Sequence, residues 1–236
     1  MSNDVLREEL KEKDFKFIVE IVYQHTGIVL NDQKREMVYR RLMRCVRNEK
    51  QPSIASYCDF LRSADKQQLD HFFNEITTNL TSFFRENHHF DFLKNDYLPK
   101  LIAQKNNSRR LRIWSSACST GEEPYSIAIT LMESMEHLIG SWDAKILATD
   151  IDTNVLAHAK SGIYRQDKLD NLADSKVAKW FQNGKGVNSG QAKVSEKLQK
   201  LITFKKLNLL SGWPMKGPFN VIFCRNVLIY FDKETQ

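Results

Sequence analysis

The feature that most constrains this chain is a short apolar strand, Leu111 to Trp114. It runs through Ser115-Ser116-Ala117-Cys118-Ser119-Thr120-Gly121-Glu122-Glu123-Pro124-Tyr125 into an amphipathic helix. A tight turn at the carboxyl end of a parallel strand is where open α/β sheets bind nucleotide-like ligands. This turn has a single glycine and lacks the G-x-G-x-x-G phosphate fingerprint, so a nucleoside-sized ligand without a pyrophosphate suits it better. A local reading competes. Thr120 and Glu123 have the spacing of a capping box, and Pro124 suits a first helical turn. Ile127, Leu131, Met135 and Leu138 recur at helical spacing and predict one buried stripe on a helix over 124–139. On the residues alone, Glu123 is as well placed to cap as to bind.

Further on, strands are expected at 145–149, 201–206 and 219–223, and their alternation with helices argues a parallel α/β sheet. The second strand ends in Asp150-Ile151-Asp152. An acid at that place in a nucleotide-binding unit commonly bonds ribose hydroxyls. Asp150 is the better ribose candidate, because Asp152 suits the N-cap of a helix over Asn154–Lys160. The last strand ends in Arg225-Asn226 and reaches Tyr230, again at a carboxyl edge. Before the sheet lies a polar knot, Thr77 to Glu86. There Phe83 and Phe84 read as core, and Asn79, Thr81 and Arg85 are candidate caps on a helix continuing to Leu93.

Residues 1–76 carry helical periodicity and no strand signal. Phe15, Ile18, Val19, Val22 and Tyr23 form one apolar face ending at Gly27, and Ile54–Leu61 and Lys66–Ile76 predict two later helices. Between them, seven basic residues stand against two acids from Lys34 to Lys50. Val38, Leu42 and Cys45 make an apolar face there, while Arg40, Arg44 and Arg47 make a separate basic one. That stripe is either a solvated face or a docking face for an acidic partner. No aromatic residues interleave with the arginines, which disfavours a base-stacking nucleic-acid platform. Residues 161–201, polar and punctuated by Gly184, Gly186 and Gly190, look like an insertion with a helix over Lys168–Phe181 and a small hairpin.

With 236 residues, 42% apolar and 27% charged, the chain has room for one or two globular domains. The start, Met1 to Leu10, lacks the apolar core of a signal peptide, and no apolar run approaches a membrane span. A cytoplasmic location without membrane insertion is expected. Cys45, Cys58, Cys118 and Cys224 form no C-x-x-C pair, so neither a metal site nor a disulfide framework is expected.

Four segments occur in register: Thr81-Ser82-Phe83-Phe84-Arg85, Ser119 to Ser126, Thr149 to Asp152, and Phe223 to Phe231. Together they resemble the chemotaxis receptor methyltransferases, the CheR family. The resemblance implies a Rossmann-like class I S-adenosylmethionine-dependent methyltransferase fold over 77–236, an all-α domain over 1–76, and a β-subdomain inserted at about 161–201. It implies methyl transfer from S-adenosylmethionine to glutamate side chains on the cytoplasmic helices of chemoreceptors. Asn79, Thr81 and Arg85 match the cofactor segment before the sheet. Glu123 and Asp150 match the acids near the methionine amino group and the ribose. Asn208-Leu209 match a loop near adenine, and Arg225-Asn226 match the loop after the fourth strand. Arg85 and Tyr230 match the pair beside the transferred methyl.

The resemblance gives the basic stripe an acidic receptor helix as partner, and it suggests a receptor carboxyl-terminal peptide for the β-subdomain. An ionised glutamate needs no general base, which accords with the lack of a His/Asp or Cys/His pair. Family members continue past the residue matching Gln236 with further strands. Those strands are therefore expected to be missing here, leaving Val221–Phe223 as an apolar edge. A non-catalytic receptor-binding adaptor is the alternative reading. A nucleic-acid methyltransferase, resting on charge alone, comes third.

Overall fold

The structure is a computed structural model and describes residues 9–104 and 108–236. Its contacts define two compact units: one runs through Thr78 and adds Asn226–Gln236, the other is Asn79–Arg225.

The first unit is built on four helices. Helix α1 (Glu12–Thr26) buries Phe15, Ile18, Ile21 and Val22, and ends where Gly27 adopts φ 71° and bonds back to Tyr23 O. Tyr23 leaves the expected apolar face: its ring is exposed and its hydroxyl donates to Asp232 Oδ2 at 2.8 Å. Helix α2 (Arg35–Asn48) buries Val38, Leu42 and Cys45 as its spacing predicts. Helix α3 (Ile54–Ser63) is capped by Ser53, and α4 (Lys66–Ile76) by a capping box of Asp65 and Gln68. The Arg41 guanidinium donates to the Ile76 and Thr77 carbonyls and so ties α2 to the end of α4. Residues 226–236 join this unit through Val29 N–H, which donates to Tyr230 O at 2.9 Å.

The second unit starts with helix α5 (His88–Phe92), which continues through a wide turn at Leu93–Tyr97 into α6 (Leu98–Ala103). The expected helix therefore begins later and runs further. Residues 83–87 are turn, with Phe84 at φ 51° and Glu86 at 55°, so Asn79, Thr81 and Arg85 do not cap it. Next come β1 (Arg110–Ser115), α7 (Glu122–Ser134), β2 (Asp143–Asp150) and α8 (Thr153–Ser161). The inserted segment holds β3 (Ile163–Arg165), α9 (Asp174–Trp180), β4 (Phe181–Asn183) and β5 (Gln191–Val194). The chain then passes α10 (Glu196–Gln199), β6 (Ile202–Lys206) and β7 (Val221–Phe223).

The main sheet is parallel, in the order β6-β2-β1-β7. Its core is formed by residues such as Leu111, Ile113, Ile127, Leu131 and Ile146, all essentially inaccessible. The insertion makes its own antiparallel sheet, β3-β5-β4, one strand more than the expected hairpin. The helix expected over 168–181 shrinks to α9, because Phe181 turns into β4 and pairs with Val194.

Two further expectations fail around α7. No capping box forms, since Gly121 at φ 98° takes the N-cap position and Thr120 Oγ1 donates to Glu122 Oε2 at 2.6 Å. The helix also stops at Ser134, so Leu138 falls out of the stripe's period and is partly exposed.

Candidate functional site

Strand order locates the site. From β1 the chain builds outward through β2 to β6, then returns to place β7 on the other side of β1. The crevice at the carboxyl ends of β1 and β7 is thus the topological switch point, where ligands of open α/β sheets bind. The turn after β1 is stitched to both neighbours. Ser116 N–H donates to Phe223 O of β7 at 2.9 Å, and Cys118 N–H to Thr149 O of β2 at 2.8 Å. Ser119 is held at φ 49°, a conformation that costs free energy unless surrounding bonds over-determine it. Here they do: its N–H donates to Asp150 Oδ2 at 2.8 Å and its hydroxyl to Asn79 O at 3.1 Å.

Gly121 is irreplaceable in this turn for two reasons. Its φ of 98° suits only glycine, and a Cβ there would stand 2.7 Å from Ala159 Cβ and 2.8 Å from the Tyr164 hydroxyl. The turn therefore lies against α8 at backbone distance.

Glu123, in the first turn of α7, is buried. Its Oε1 accepts from Ser115 Oγ at 2.7 Å, and its Oε2 from Arg225 Nη1 at 2.9 Å. Burial pushes its carboxyl above the usual range, while Ser115 and Arg225 oppose the shift. Arg225 follows β7 and also meets Glu86 at 3.3 Å and the Arg85 carbonyl. Its Nε is buried and has no hydrogen-bond partner among the described residues. A carboxylate beside a guanidinium with a spare donor is the donor set that an α-amino acid zwitterion calls for, ammonium to one and carboxylate to the other. Neither partner is a metal-ligand cluster, and no such cluster occurs among the described residues.

Asp150 closes β2. Its Oδ1 accepts from Asp152 N at 3.0 Å, and burial raises its pKa to about 6 despite the bonds from Asp152 and Ser119. Asp152 caps α8 through Asn154 and Val155 N–H, as expected, and its Oδ2 also accepts from Asn79 Nδ2 at 2.8 Å. The loop after β6 is drawn to the same edge by Leu207 N–H, which donates to Asp150 O at 2.9 Å, and Asn208 Oδ1 accepts from Leu210 N at 3.0 Å.

The structure thus gathers Asn79, Glu123, Asp150, Arg225, the Arg85 backbone and the Asn208-Leu209 loop at one sheet edge. Thr81 is half-buried in the segment between Asn79 and Arg85, and the Arg85 side chain donates to Leu80 O at 2.8 Å. Asn226, Tyr230, Arg40, Arg44 and Arg47 belong to the other unit. There Lys34 Nζ lies 5.6 Å from the centre of the Tyr230 ring, Arg40 pairs with Glu36 and Arg44 with Glu75, and Arg47 is exposed.

Sequence reasoning missed Ser115, Glu86 and Ser119, the partners that hold Glu123, Arg225 and Asp150. One signal was present: small hydroxyl residues at the end of a buried strand need a reason. The positive φ angles at Phe84, Ser119 and Asn226, within three of the four motifs, and at Glu86, one residue past the first, left no mark in the sequence.

Comparison with known proteins agrees with this geometry. Residues 79–236 match the family model described as CheR methyltransferase, SAM binding domain, and residues 13–77 match the CheR methyltransferase all-alpha domain. The chain is 43% identical over 232 residues to the chemotaxis protein methyltransferase of Escherichia coli strain K12, covering 98% of this chain and 78% of that protein. It is 46% identical over 228 residues to chemotaxis protein methyltransferase 2 of Pseudomonas aeruginosa (95% and 78%), and 40% identical over 235 residues to the Borreliella burgdorferi chemotaxis protein methyltransferase (98% and 82%). With both of its parts matched in order, the chain belongs to the CheR methyltransferase family.

Proposed function

We propose that this protein moves a methyl group from S-adenosylmethionine to glutamate side-chain carboxylates on the cytoplasmic helices of chemoreceptors, giving glutamate methyl esters that adapt a chemotactic response. Membership of the family makes it an S-adenosylmethionine-dependent methyltransferase of chemotaxis. The acceptor is the one the family implies, and the observation that supports the cofactor side of the reading is the buried Glu123–Arg225 pair at the switch point, with Asp150 one strand away. The pair suits the amino-acid end of the cofactor, and Asp150 suits the ribose.

The cofactor supplies an electrophilic methyl on a sulfonium with a neutral leaving group. The chain's residues have then only to orient and to exclude water. Holding an ionised acceptor in line is catalysis by proximity, and such an acceptor has no proton to give up. Arg85 is assigned to aim the carboxylate through charge-assisted bonds, and Tyr230 to fix it through its hydroxyl. Arg40, Arg44 and Arg47 dock the acidic receptor helix, and the inserted sheet holds a receptor carboxyl-terminal peptide. No described helix is long and apolar enough to cross a membrane, and a cytoplasmic location fits a substrate on the receptors' cytoplasmic helices.

The test is transfer of radiolabelled methyl to receptor-containing membranes, followed by base treatment. Label released by mild base as methanol supports glutamate esters. Base-stable label overturns the acceptor, and absence of transfer with tight cofactor binding returns the reading to a receptor-binding adaptor. Retention of the protein on immobilised receptor-tail peptide checks the peptide assignment, and failure of retention removes it.

A further inference from the structure

The turn after β1 rests on a residue from outside the main sheet. Tyr164 lies in the middle of β3, the first strand of the inserted sheet, and is 2% exposed. Its hydroxyl donates to Thr120 O at 2.7 Å, the carbonyl immediately before Gly121. The close approach at Gly121 has the same partner, since a Cβ there would meet that hydroxyl at 2.8 Å. The Tyr164 ring also packs edge-on against Phe83, with centroids 5.0 Å apart, and Phe83 does the same against Phe181 of β4 at 5.4 Å. Phe83 lies within the 79–85 segment, whose far end bonds Asp152 and Ser119. One side chain of the insertion therefore supports both stretches of backbone that face the candidate cofactor crevice.

We propose that Tyr164 is a positioning residue for the cofactor turn, through which the inserted sheet sets the affinity of the S-adenosylmethionine site. The inference rests on the reading of residues 116–121 as the cofactor turn. Burial, with the charge of Glu122 second, holds the phenol well above its ordinary pKa, so the hydroxyl remains a donor at all working pH. Without that donor, the Thr120 carbonyl is unpaired beside a turn already bent through two left-handed residues, Ser119 and Gly121. The turn then samples other arrangements, and the cofactor selects against them. Tyr164 touches neither the acceptor nor the methyl, so the effect belongs to binding and not to the chemical step.

The experiment compares Tyr164→Phe with Tyr125→Phe. Tyr125 is an equally inaccessible tyrosine whose hydroxyl donates to Ala159 O at 2.9 Å, a carbonyl of α8 and not of the turn. Calorimetric titration of S-adenosylmethionine into the full chain should show affinity reduced about three- to tenfold for Tyr164→Phe and within about twofold of wild type for Tyr125→Phe, the range expected for one buried hydrogen bond. In methyl-transfer assays the KM for S-adenosylmethionine rises in parallel while kcat stays within twofold. Equal effects of the two variants overturn the proposal, as does a fall in kcat at unchanged affinity. Phe83→Leu, which keeps the hydroxyl bond but removes the ring support, provides a second route if Tyr164→Phe melts below the assay temperature. Weakened cofactor binding by Phe83→Leu supports the proposal, and unchanged binding overturns it. Wild-type protein that binds no S-adenosylmethionine overturns the reading of the turn itself, a result distinct from wild-type binding that Tyr164→Phe leaves unmoved.

Discussion

Asp150 combines a buried position with two backbone N–H donors on its carboxylate, and its pKa of about 6 follows from burial outweighing those bonds. The sign of the linkage is unambiguous. The folded chain holds this proton more tightly than the unfolded chain, so the group's stabilisation is complete below about pH 4 and is lost as pH rises through 6. The proposed ribose contact favours the ionised form, since hydroxyls donate best to a carboxylate, so on that assignment cofactor affinity runs the other way. At pH 5 about one-tenth of the carboxyl is ionised, and calorimetry should find affinity about tenfold lower than at pH 7, a dependence that Asp150→Asn abolishes. Glu123 and Arg225 present a different case, two charges each about one-tenth exposed. Removing only the cation in Arg225→Met leaves an uncompensated buried carboxylate, at about 3 kcal/mol or more in urea unfolding. The double variant with Glu123→Gln should recover most of that loss while still failing to bind cofactor.

At the scale of elements, the docking role proposed for the basic face of α2 is the one most readily separated from the fold. Val38, Leu42 and Cys45 are sealed in the core, whereas Arg40, Arg44 and Arg47 point to solvent and hold at most surface ion pairs, which contribute about 0–1 kcal/mol each. Reversing all three to glutamate should therefore leave cofactor affinity unchanged and barely move the melting temperature. Receptor methylation should fall by at least tenfold at low salt, the loss shrinking as salt screens the interaction. Tight cofactor binding with unaltered methylation would remove the docking assignment. The same helix shows what was legible in the sequence. Periodicity placed α2, α4 and the core strands because their burial is one-sided or complete, and the Asp152 cap was legible because its carboxylate serves the adjacent helix end. What was not legible depended on tertiary partners. Glu123 carries the spacing of a cap and is instead taken by Ser115 and Arg225, the latter 102 residues away. Phe181 reads as the end of a helix, but pairing with Val194 makes it strand. Tyr23 lies on the apolar stripe of α1 yet turns outward to Asp232.

At the scale of the whole molecule there are two separate cores, one with Ile18, Leu42 and Phe72, the other with Ile113, Ile127 and Leu131. The four cysteines are free and distributed between them: Cys45 and Cys58 are sealed in the first, Cys118 in the turn of the second, and Cys224 is exposed. Burial raises the Cys45 thiol to about 11 and holds Cys118 well above its ordinary value, so both are inert while covered. The consequence is a built-in stopwatch. A small alkylating reagent should consume one thiol within seconds to minutes, and the other three only as fast as each core opens. Mass spectrometry that resolves Cys118 from Cys45 and Cys58 then times the opening of the methyl-transfer unit and the helical unit separately in one sample. S-adenosylmethionine should slow Cys118 alone, and equal protection of all three would mean that the two units open together.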